Sequence, residues 1–260
     1  MKGSVRAVNI LLSERLILEC RSSKLGAMLL AIISDIHANL EALTDVFEAI
    51  DRERVQEIIC LGDVVGYGAN PNECATLVQQ RCAVTVLGNH DAAALDTTEA
   101  QHFTDRARIA IEWTAEQLTA ETKSFLGGLG YTTARHGAFF VHASPYQPQR
   151  WQYIFDEYDA EEAFGSYEER LCFIGHTHTP GIYSPEGREK KVVPEKKMLV
   201  NVGSVGQPRD GNPLASFGLL DTEAWEYRNV RVKYDIGTAA QKIRKAGLPS
   251  MLADRLSVGI

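Results

Sequence analysis

Residues 28–37 read MLLAIISDIH, an apolar run that ends at two polar side chains, Asp35 and His37. A short apolar run rich in branched residues predicts a buried β-strand. The following segment 40–50, LEALTDVFEAI, has apolar residues at helical spacing, and Asn39 before it is a suitable N-cap. These residues therefore predict a strand that leads directly into a helix.

The same alternation continues along the chain. EIICL at 57–61 predicts a second strand, residues 71–80 a helix with proline in its first turn, and CAVTVL at 82–87 a third strand. Residues 103–126 have a helical pattern, and strand-like runs dominate after Leu129. Strand–helix–strand alternation favours parallel pairing, so we expect an α/β fold in which two sheets pack face to face between helices.

The composition excludes several classes of protein. Of the 260 residues, 45% are hydrophobic and 23% are charged, which is typical of a globular protein. The formal net charge of −7 opposes extended binding along nucleic acid and gives no attraction to anionic membranes. The longest apolar run, 27–33, is far too short to span a bilayer. We therefore expect a soluble protein that attracts any anionic ligand locally.

Residues 1–27 differ from the rest in charge, with five basic and two acidic side chains. The apolar stretch 8–12 is too short for a signal peptide, and charged residues follow it directly. Glu14 and Glu19 also weaken an interpretation as an organellar transit segment. We interpret residues 1–27 as a dispensable extension or as residues ahead of the true start, and 28–260 as the working domain.

The five cysteines form an odd set without C-x-x-C spacing. Cys60, Cys82 and Cys172 fall in or beside strand-like apolar runs. Such a pattern indicates free, buried thiols in a reducing compartment, so we expect a cytoplasmic protein.

Polar motifs follow several of the strand-like runs, at the point where each run ends. They are Asp35-x-His37, Gly62-Asp63, Gly88-Asn89-His90-Asp91, His142 in the string VHAS, and Gly175-His176-Thr177-His178. Open α/β sheets bind ligands beyond the carboxyl ends of their strands, so we expect these side chains to meet in one site. Five of the seven histidines lie in these motifs, and this concentration favours a metal site.

Each motif taken alone also has a structural interpretation. The first two are typical of turns or helix caps, and His142 could be a hydrogen-bonded core histidine. His176 and His178 point to one side if the backbone is extended, although a polar loop has the same sequence. The other two histidines, His102 and His136, are interpreted as structural.

Taken in order, the motifs resemble those of the calcineurin-like metallophosphoesterase superfamily over about residues 28–221. The resemblance implies a four-layer αββα sandwich, with two facing mixed β-sheets flanked by helices, and a site for two metal ions. The implied ligands are Asp35, His37 and His178 for one metal, Asn89, His142 and His176 for the other, and Asp63 as the bridge. Carboxylate, imidazole and amide ligands suit Mn, Fe, Zn, Ni or Co.

The implied activity is hydrolysis of small phosphate mono- or diesters by direct attack of a hydroxide that bridges the two metals. His90 follows the proposed ligand Asn89, and the matching histidine of the superfamily is thought to protonate the leaving oxygen or to stabilise charge there. His90 is therefore the candidate catalytic residue. Its neighbour Asp91 is open to a structural interpretation, as the cap of a short helix.

The sequence departs from the protein serine/threonine phosphatases of this superfamily. After Asp63 it lacks the Asp-Arg pair with which those enzymes orient the histidine and grip phosphate, so the positioning of His90 needs another explanation. The segment 201–213, NVGSVGQPRDGNP, resembles a loop of small bacterial phosphodiesterases and phosphatases. In this loop Arg209 either contacts phosphate or pairs with Asp210.

Two other functions are compatible with such a fold. A non-catalytic, protein-binding scaffold is disfavoured because scaffold members tend to have degraded metal ligands, and all the ligand positions are intact here. A nuclease for long nucleic acid is disfavoured by the acidic balance. We expect a small phosphoester as the partner, with Tyr67 either stacking on it or packing within its own loop.

Overall fold

The computed structural model describes residues 28–260; Cys20 and the predicted extension 1–27 lie outside the described residues. The α-helices of this part are α1 (Leu40–Arg52), α2 (Pro71–Arg81), α3 (Asn89–Leu95), α4 (Asp105–Gln117), α5 (Ala120–Gly127), α6 (Glu157–Ala163), α7 (Ile236–Lys245) and α8 (Ser250–Asp254). The strands are β1 (Leu29–Ile33), β2 (Glu57–Cys60), β3 (Val84–Thr85), β4 (Thr132–Arg135), β5 (Ala138–Val141), β6 (Leu171–Ile174), β7 (Gly181–Ser184), β8 (Gly187–Arg188), β9 (Met198–Asn201), β10 (Ala215–Asp221) and β11 (Glu226–Val232). Short 3₁₀ helices span Thr97–His102, Pro148–Arg150 and Arg255–Ser257.

The strands form two mixed sheets. The first has the order β11-β10-β1-β2-β3, in which β1, β2 and β3 are parallel and β10 is antiparallel to both of its neighbours. The second has the order β4-β5-β6-β9-β7-β8, parallel across β5, β6 and β9 and antiparallel at both edges. Each sheet therefore contains three adjacent parallel strands whose carboxyl ends point the same way.

Alternate residues of β1 explain the layers. Leu30 and Ile32 pack between the sheets, against side chains of the second sheet such as Phe173. Ala31 and Ile33 belong to the core between the first sheet and its helices. Because a strand alternates its faces with a period of two, an unbroken apolar run is what a strand buried on both sides requires.

A third cluster covers the outer face of the second sheet, where Cys172 and Leu199 pack with Ala160 and Ala163 of α6. The order of layers is therefore helix, sheet, sheet, helix. This confirms the predicted αββα sandwich.

Local predictions are confirmed in part. Asn39 caps α1, since its side chain accepts a hydrogen bond from the backbone N–H of Ala42 at 3.1 Å. The predicted helical region 103–126 is divided, because Thr119 caps a separate helix, α5. The third strand is shorter than predicted, because only Val84 and Thr85 pair with β2.

The four cysteines of the described part are free, with Cys60, Cys74 and Cys172 buried and Cys82 half-buried. This agrees with the prediction of unpaired thiols. Within residues 28–260, no helix combines the length and the apolar character that crossing a membrane requires.

Candidate metal centre

The parallel strands bring the predicted site residues together. Asp35 and Asp63 follow β1 and β2, His142 and His176 follow β5 and β6, and Asn89 is the first residue of α3. Because the strands within each sheet are parallel neighbours, the loops that leave their carboxyl ends converge.

The backbone of these loops is left-handed at several residues that are not glycine. Asp35, His37, Asp63, His176 and His178 have φ values between 51° and 67°. Each such residue costs about 1–3 kcal/mol, and strain of this kind clusters at functional sites. The fold maintains this strained backbone conformation at five of the seven predicted ligands.

Asp35, His37 and His178 form a first group of buried donors. His37 Nε2 lies 3.0 Å from His178 Nε2, and Asp35 Oδ1 lies 3.9 Å from the former and 3.3 Å from the latter. Nδ1 of His37 donates to the main-chain oxygen of Val65 at 3.2 Å, and Nδ1 of His178 donates to that of Gln207 at 2.6 Å. Both rings are thus held from behind, with Nε2 directed into the group.

These hydrogen bonds determine which ring nitrogen carries the hydrogen. A carbonyl oxygen can only accept, so both rings must be protonated on Nδ1. Burial lowers the pKa of His37 and of His178 well below the usual value, so both rings are neutral and have a lone pair on Nε2. Two lone pairs that face each other at 3.0 Å repel unless a cation accepts both. The donor set therefore fits a metal ion, and a carbonyl behind each ring is usual at metal sites.

Asn89, His142 and His176 form a second group. His142 Nε2 lies 3.1 Å from Asn89 Oδ1 and 3.1 Å from His176 Nδ1. The opposite ring nitrogens donate to main-chain oxygens, His142 Nδ1 to Leu61 and His176 Nε2 to Trp151, both at 2.9 Å. The second group is therefore built on the same plan as the first.

Asp63 lies between the two groups. Its Oδ2 is 3.5 Å from His37 Nε2 and 3.4 Å from His142 Nε2. Its other oxygen, Oδ1, accepts a hydrogen bond from the backbone N–H of His90 at 2.8 Å. One oxygen is thus held by the protein, while the other faces donors of both groups.

The electrostatics of the centre favour added positive charge. Burial raises the pKa of Asp35 to about 6. Burial also opposes ionisation of Asp63, but the nearby His142 and His90 outweigh it and hold the pKa of Asp63 well below its usual range. Burial lowers the pKa of His142, yet the charge of Asp63 and then that of Asp35 raise it to about 9. Two buried carboxylates require compensation, which a proton on His142 or a bound cation can supply.

His90 is positioned by ring packing instead of by a carboxylate. Its ring centroid lies 4.4 Å from that of Tyr67, 4.8 Å from that of His37 and 4.9 Å from that of Phe103. Its Nδ1 is buried and has no hydrogen-bond partner among residues 28–260. Gly66 makes room for it, because a Cβ there would lie 2.5 Å from this nitrogen. This packing accounts for the placement of His90 without the Asp-Arg pair.

Asp91 has the structural role that its sequence position allowed. Its Oδ2 accepts from the backbone N–H of Gly88 at the start of α3, at 3.2 Å, and its Oδ1 accepts from that of Val65 at 3.1 Å. His136 is also structural, since its Nε2 lies 2.9 Å from Glu57 Oε2. His102 lies outside both donor groups and lines the rim of the adjacent cleft.

A cleft of about 770 Å³ opens beside the donors and is lined by Asn89, His90, Tyr67 and Arg209 among others. The predicted alternative of an ion pair between Arg209 and Asp210 is not formed, because Asp210 pairs with Arg231. Instead, the guanidinium of Arg209 lies over the Tyr67 ring, 5.8 Å from its centroid. Both of these residues therefore face the cleft.

Sequence reasoning missed several residues of the site. Ser204 Oγ donates to the main-chain oxygen of Asp35 at 2.8 Å, and Trp151 supplies the carbonyl behind His176. Tyr153 stacks on the ring of His176 with centroids 3.9 Å apart. The only signal in the sequence was the density of aromatic residues in 146–158, which does not indicate where they pack.

Comparison with known proteins gives matches in sequence and in fold. A model of the calcineurin-like phosphoesterase superfamily domain matches residues 28–224. An uncharacterised protein of Methanocaldococcus jannaschii is 41% identical over 241 residues, which cover 89% of this chain and 98% of the relative. The crystal structure of a metallophosphoesterase from Sphaerobacter thermophilus is 37% identical with a TM-score of 0.82, covering 90% of this chain and 100% of that chain. The hypothetical protein PH1004 from Pyrococcus horikoshii OT3 shares the fold, with a TM-score of 0.77 at 19% identity over 89% of this chain and 98% of that chain.

Proposed function

This chain belongs to the calcineurin-like phosphoesterase superfamily, and from that premise we propose that it hydrolyses small phosphate mono- or diesters with two divalent metal ions as cofactors. One observation carries the proposal. A buried histidine of each donor group lies close to the same carboxylate oxygen, Oδ2 of Asp63, at 3.5 Å for His37 and 3.4 Å for His142. The cleft of about 770 Å³ beside them supports a small substrate, since ligand sites of this kind measure about 300–1,000 Å³.

The proposed ligands follow the two groups. Asp35, His37 and His178 would hold one metal, and Asn89, His142 and His176 the other, with Asp63 contributing to both. Mn, Fe, Zn, Ni or Co suits this mixture of imidazole, carboxylate and amide donors. The metals, when bound, supply Lewis-acid chemistry that activates water and neutralises charge on the phosphate.

The remaining chemistry belongs to the chain's own residues. Water forms a new bond to phosphorus and releases a proton to solvent while the bond from phosphorus to the ester oxygen breaks, and the departing alkoxide takes up a proton. His90 lines the cleft next to Asn89, so we assign it as the group that donates this proton. The carbonyl oxygens behind the histidines orient the rings, and the stacked ring of Tyr153 shields His176 from water on one side.

The substitution Asp63→Asn tests the proposal, because it removes the shared charge with little change in shape. We expect nearly complete loss of hydrolysis of bis(4-nitrophenyl) phosphate and the loss of at least one of two bound metals, measured by mass spectrometry of the desalted protein. Asp45→Asn on α1, far from any motif, is the matched control and should retain both metals and activity.

Two results would contradict the proposal. A fully loaded Asp63→Asn variant with near-normal activity would show that this oxygen is not shared between metals. Wild-type protein that binds metal but hydrolyses no mono- or diester would favour the non-catalytic scaffold.

A further inference from the structure

The cleft beside the metal centre collects three arginines from distant parts of the chain. Arg106 lies on α4, Arg209 follows β9, and Arg255 begins the 3₁₀ helix after α8; all three line the cleft. The chain as a whole has a net charge of −7, so this concentration of positive charge is local. A cluster of like charges is unfavourable unless something anionic occupies the space between them.

Each of these arginines has an aspartate as its neighbour in sequence, yet each aspartate pairs with a different arginine. The pairs are Asp105 with Arg108 at 3.6 Å, Asp210 with Arg231, and Asp254 with Arg244 at 2.6 Å. Among residues 28–260, none of the three cleft arginines forms a salt bridge with an aspartate or glutamate side chain. Asp210 and Asp254 are thus held by other partners, whereas Asp105 lines the same cleft and is largely exposed.

The three arginines line one cleft, with Arg209 over the ring of Tyr67. The Nε of Arg209 is buried without a hydrogen-bond partner in the described chain. Burial lowers the pKa of Arg255, and the charges of Arg209 and Arg106 lower it further, so the three groups are close enough to interact. Arg255 Nε also donates to the main-chain oxygen of Ile260, which holds its side chain along the cleft wall.

We propose that the substrate carries a second phosphoryl group beyond the one that is cleaved, and that Arg106 and Arg255 bind it. The inference rests on the proposed function, since it places the cleaved phosphate between the metals and Arg209. A single ester phosphate there leaves Arg106 and Arg255 without a phosphate oxygen to bind, although Arg255 Nε already donates to Ile260. Guanidinium groups bind phosphate oxygens in a bidentate manner, so a phosphoanhydride or a second phosphate monoester has the matching chemistry.

Binding measurements on the manganese-loaded protein test the inference without catalysis. The probes are adenosine 5′-monophosphate and the α,β-methylene analogue of adenosine 5′-diphosphate, which differ by one phosphoryl group. We expect calorimetry to show about tenfold or more tighter binding of the diphosphate analogue. Arg106→Gln and Arg255→Gln should each reduce this ratio severalfold. Arg52→Gln on α1, an exposed arginine that does not line the cleft and pairs with Glu48, is the matched control and should leave the ratio unchanged.

Kinetics separate failure of the inference from failure of the proposed function. The 4-nitrophenyl esters of adenosine 5′-mono- and diphosphate are compared by chromatography of all products, beside bis(4-nitrophenyl) phosphate. If bis(4-nitrophenyl) phosphate is hydrolysed but the extra phosphoryl group improves neither binding nor kcat/KM, the inference alone is wrong. If no ester is hydrolysed, the proposed function fails, and the binding ratio still decides whether the arginines recognise a second phosphoryl group. Arg106 is exposed, so its variant carries the test if Arg255→Gln does not fold.

Discussion

Replacing His90 by alanine removes a ring that lines the cleft and packs against the proposed ligand His37, but it leaves every proposed ligand side chain in place. The ring is buried, its centroid lies 4.4–4.9 Å from those of Tyr67, His37 and Phe103, and its Nδ1 makes no hydrogen bond within the described chain. The loss is therefore one of packing, and we expect the free energy of unfolding to fall by about 2 kcal/mol. Metal content should not change, since the donors are held by their own carbonyl partners.

The effect on activity should depend on the leaving group. An alkoxide is a strong base and gains a factor of about 10² to 10⁴ from general acid catalysis, whereas nitrophenolate departs without a proton. We expect His90→Ala to lower kcat/KM for alkyl or nucleoside esters by this factor and for nitrophenyl esters by less than about tenfold. Burial lowers the pKa of His90 to about 4, so the protonated form is lost as the pH rises above that value. The ratio of wild-type to His90→Ala activity on alkyl esters should therefore fall with rising pH, because titration of the proposed ligands such as Asp35 affects both proteins alike.

The assay compares both ester types across pH with protein of measured metal content. His90→Gln is the informative control, because its amide can donate a hydrogen bond but cannot transfer a proton. If both ester types lose the same factor in His90→Ala, or if His90→Gln restores the rate on alkyl esters, His90 acts by binding phosphate and the assignment as proton donor is refuted.

Three further predictions concern stability and local geometry. Deleting residues 1–27 should leave the melting temperature and the activity unchanged, and loss of folded protein on truncation would show that this segment packs on the domain. Glu57→Gln should cost about 1 kcal/mol of unfolding free energy at pH 7, because a bidentate pair with Arg135 is lost but Arg135 is 42% exposed and water screens the charge. The hydrogen bonds from Arg135 lower the pKa of Glu57 to about 2. This stabilisation is therefore complete above pH 4.5 and disappears as the pH falls towards 2. Chemical denaturation of the wild type and of Glu57→Gln across that pH range measures the difference. Gly66→Ala should lower the free energy of unfolding by about 1–3 kcal/mol, because φ at this residue is +89°. It should also reduce activity with both metals retained, since the new Cβ displaces the ring of His90. Activity equal to wild type would show that the position of His90 is unimportant.

Much of the fold was predictable because the decisive patterns are local. The unbroken apolar run of β1 is what a strand between a helix layer and a second sheet requires. Asn39 marks the start of α1 because its side chain caps the backbone N–H of Ala42, only three residues along the chain. The polar motifs could be located for the same reason, since each directly follows a strand that its own apolar residues define. The length of β3 could not be predicted, because it depends on where the backbone stops pairing with β2 and not on the composition of the segment 82–87.

The sequence by itself therefore determined the αββα architecture and the types of side chain that follow the carboxyl ends of the strands. Only the tertiary structure decided which nitrogen of each histidine faces the centre, because that depends on distant carbonyls such as those of Gln207 and Trp151. Tertiary packing also decided that Arg106 and Arg255 share a cleft although 148 residues separate them, while their neighbouring acids pair elsewhere. Side-chain periodicity reports the face on which a residue lies, but the approach of two remote segments depends on the packing of every layer between them.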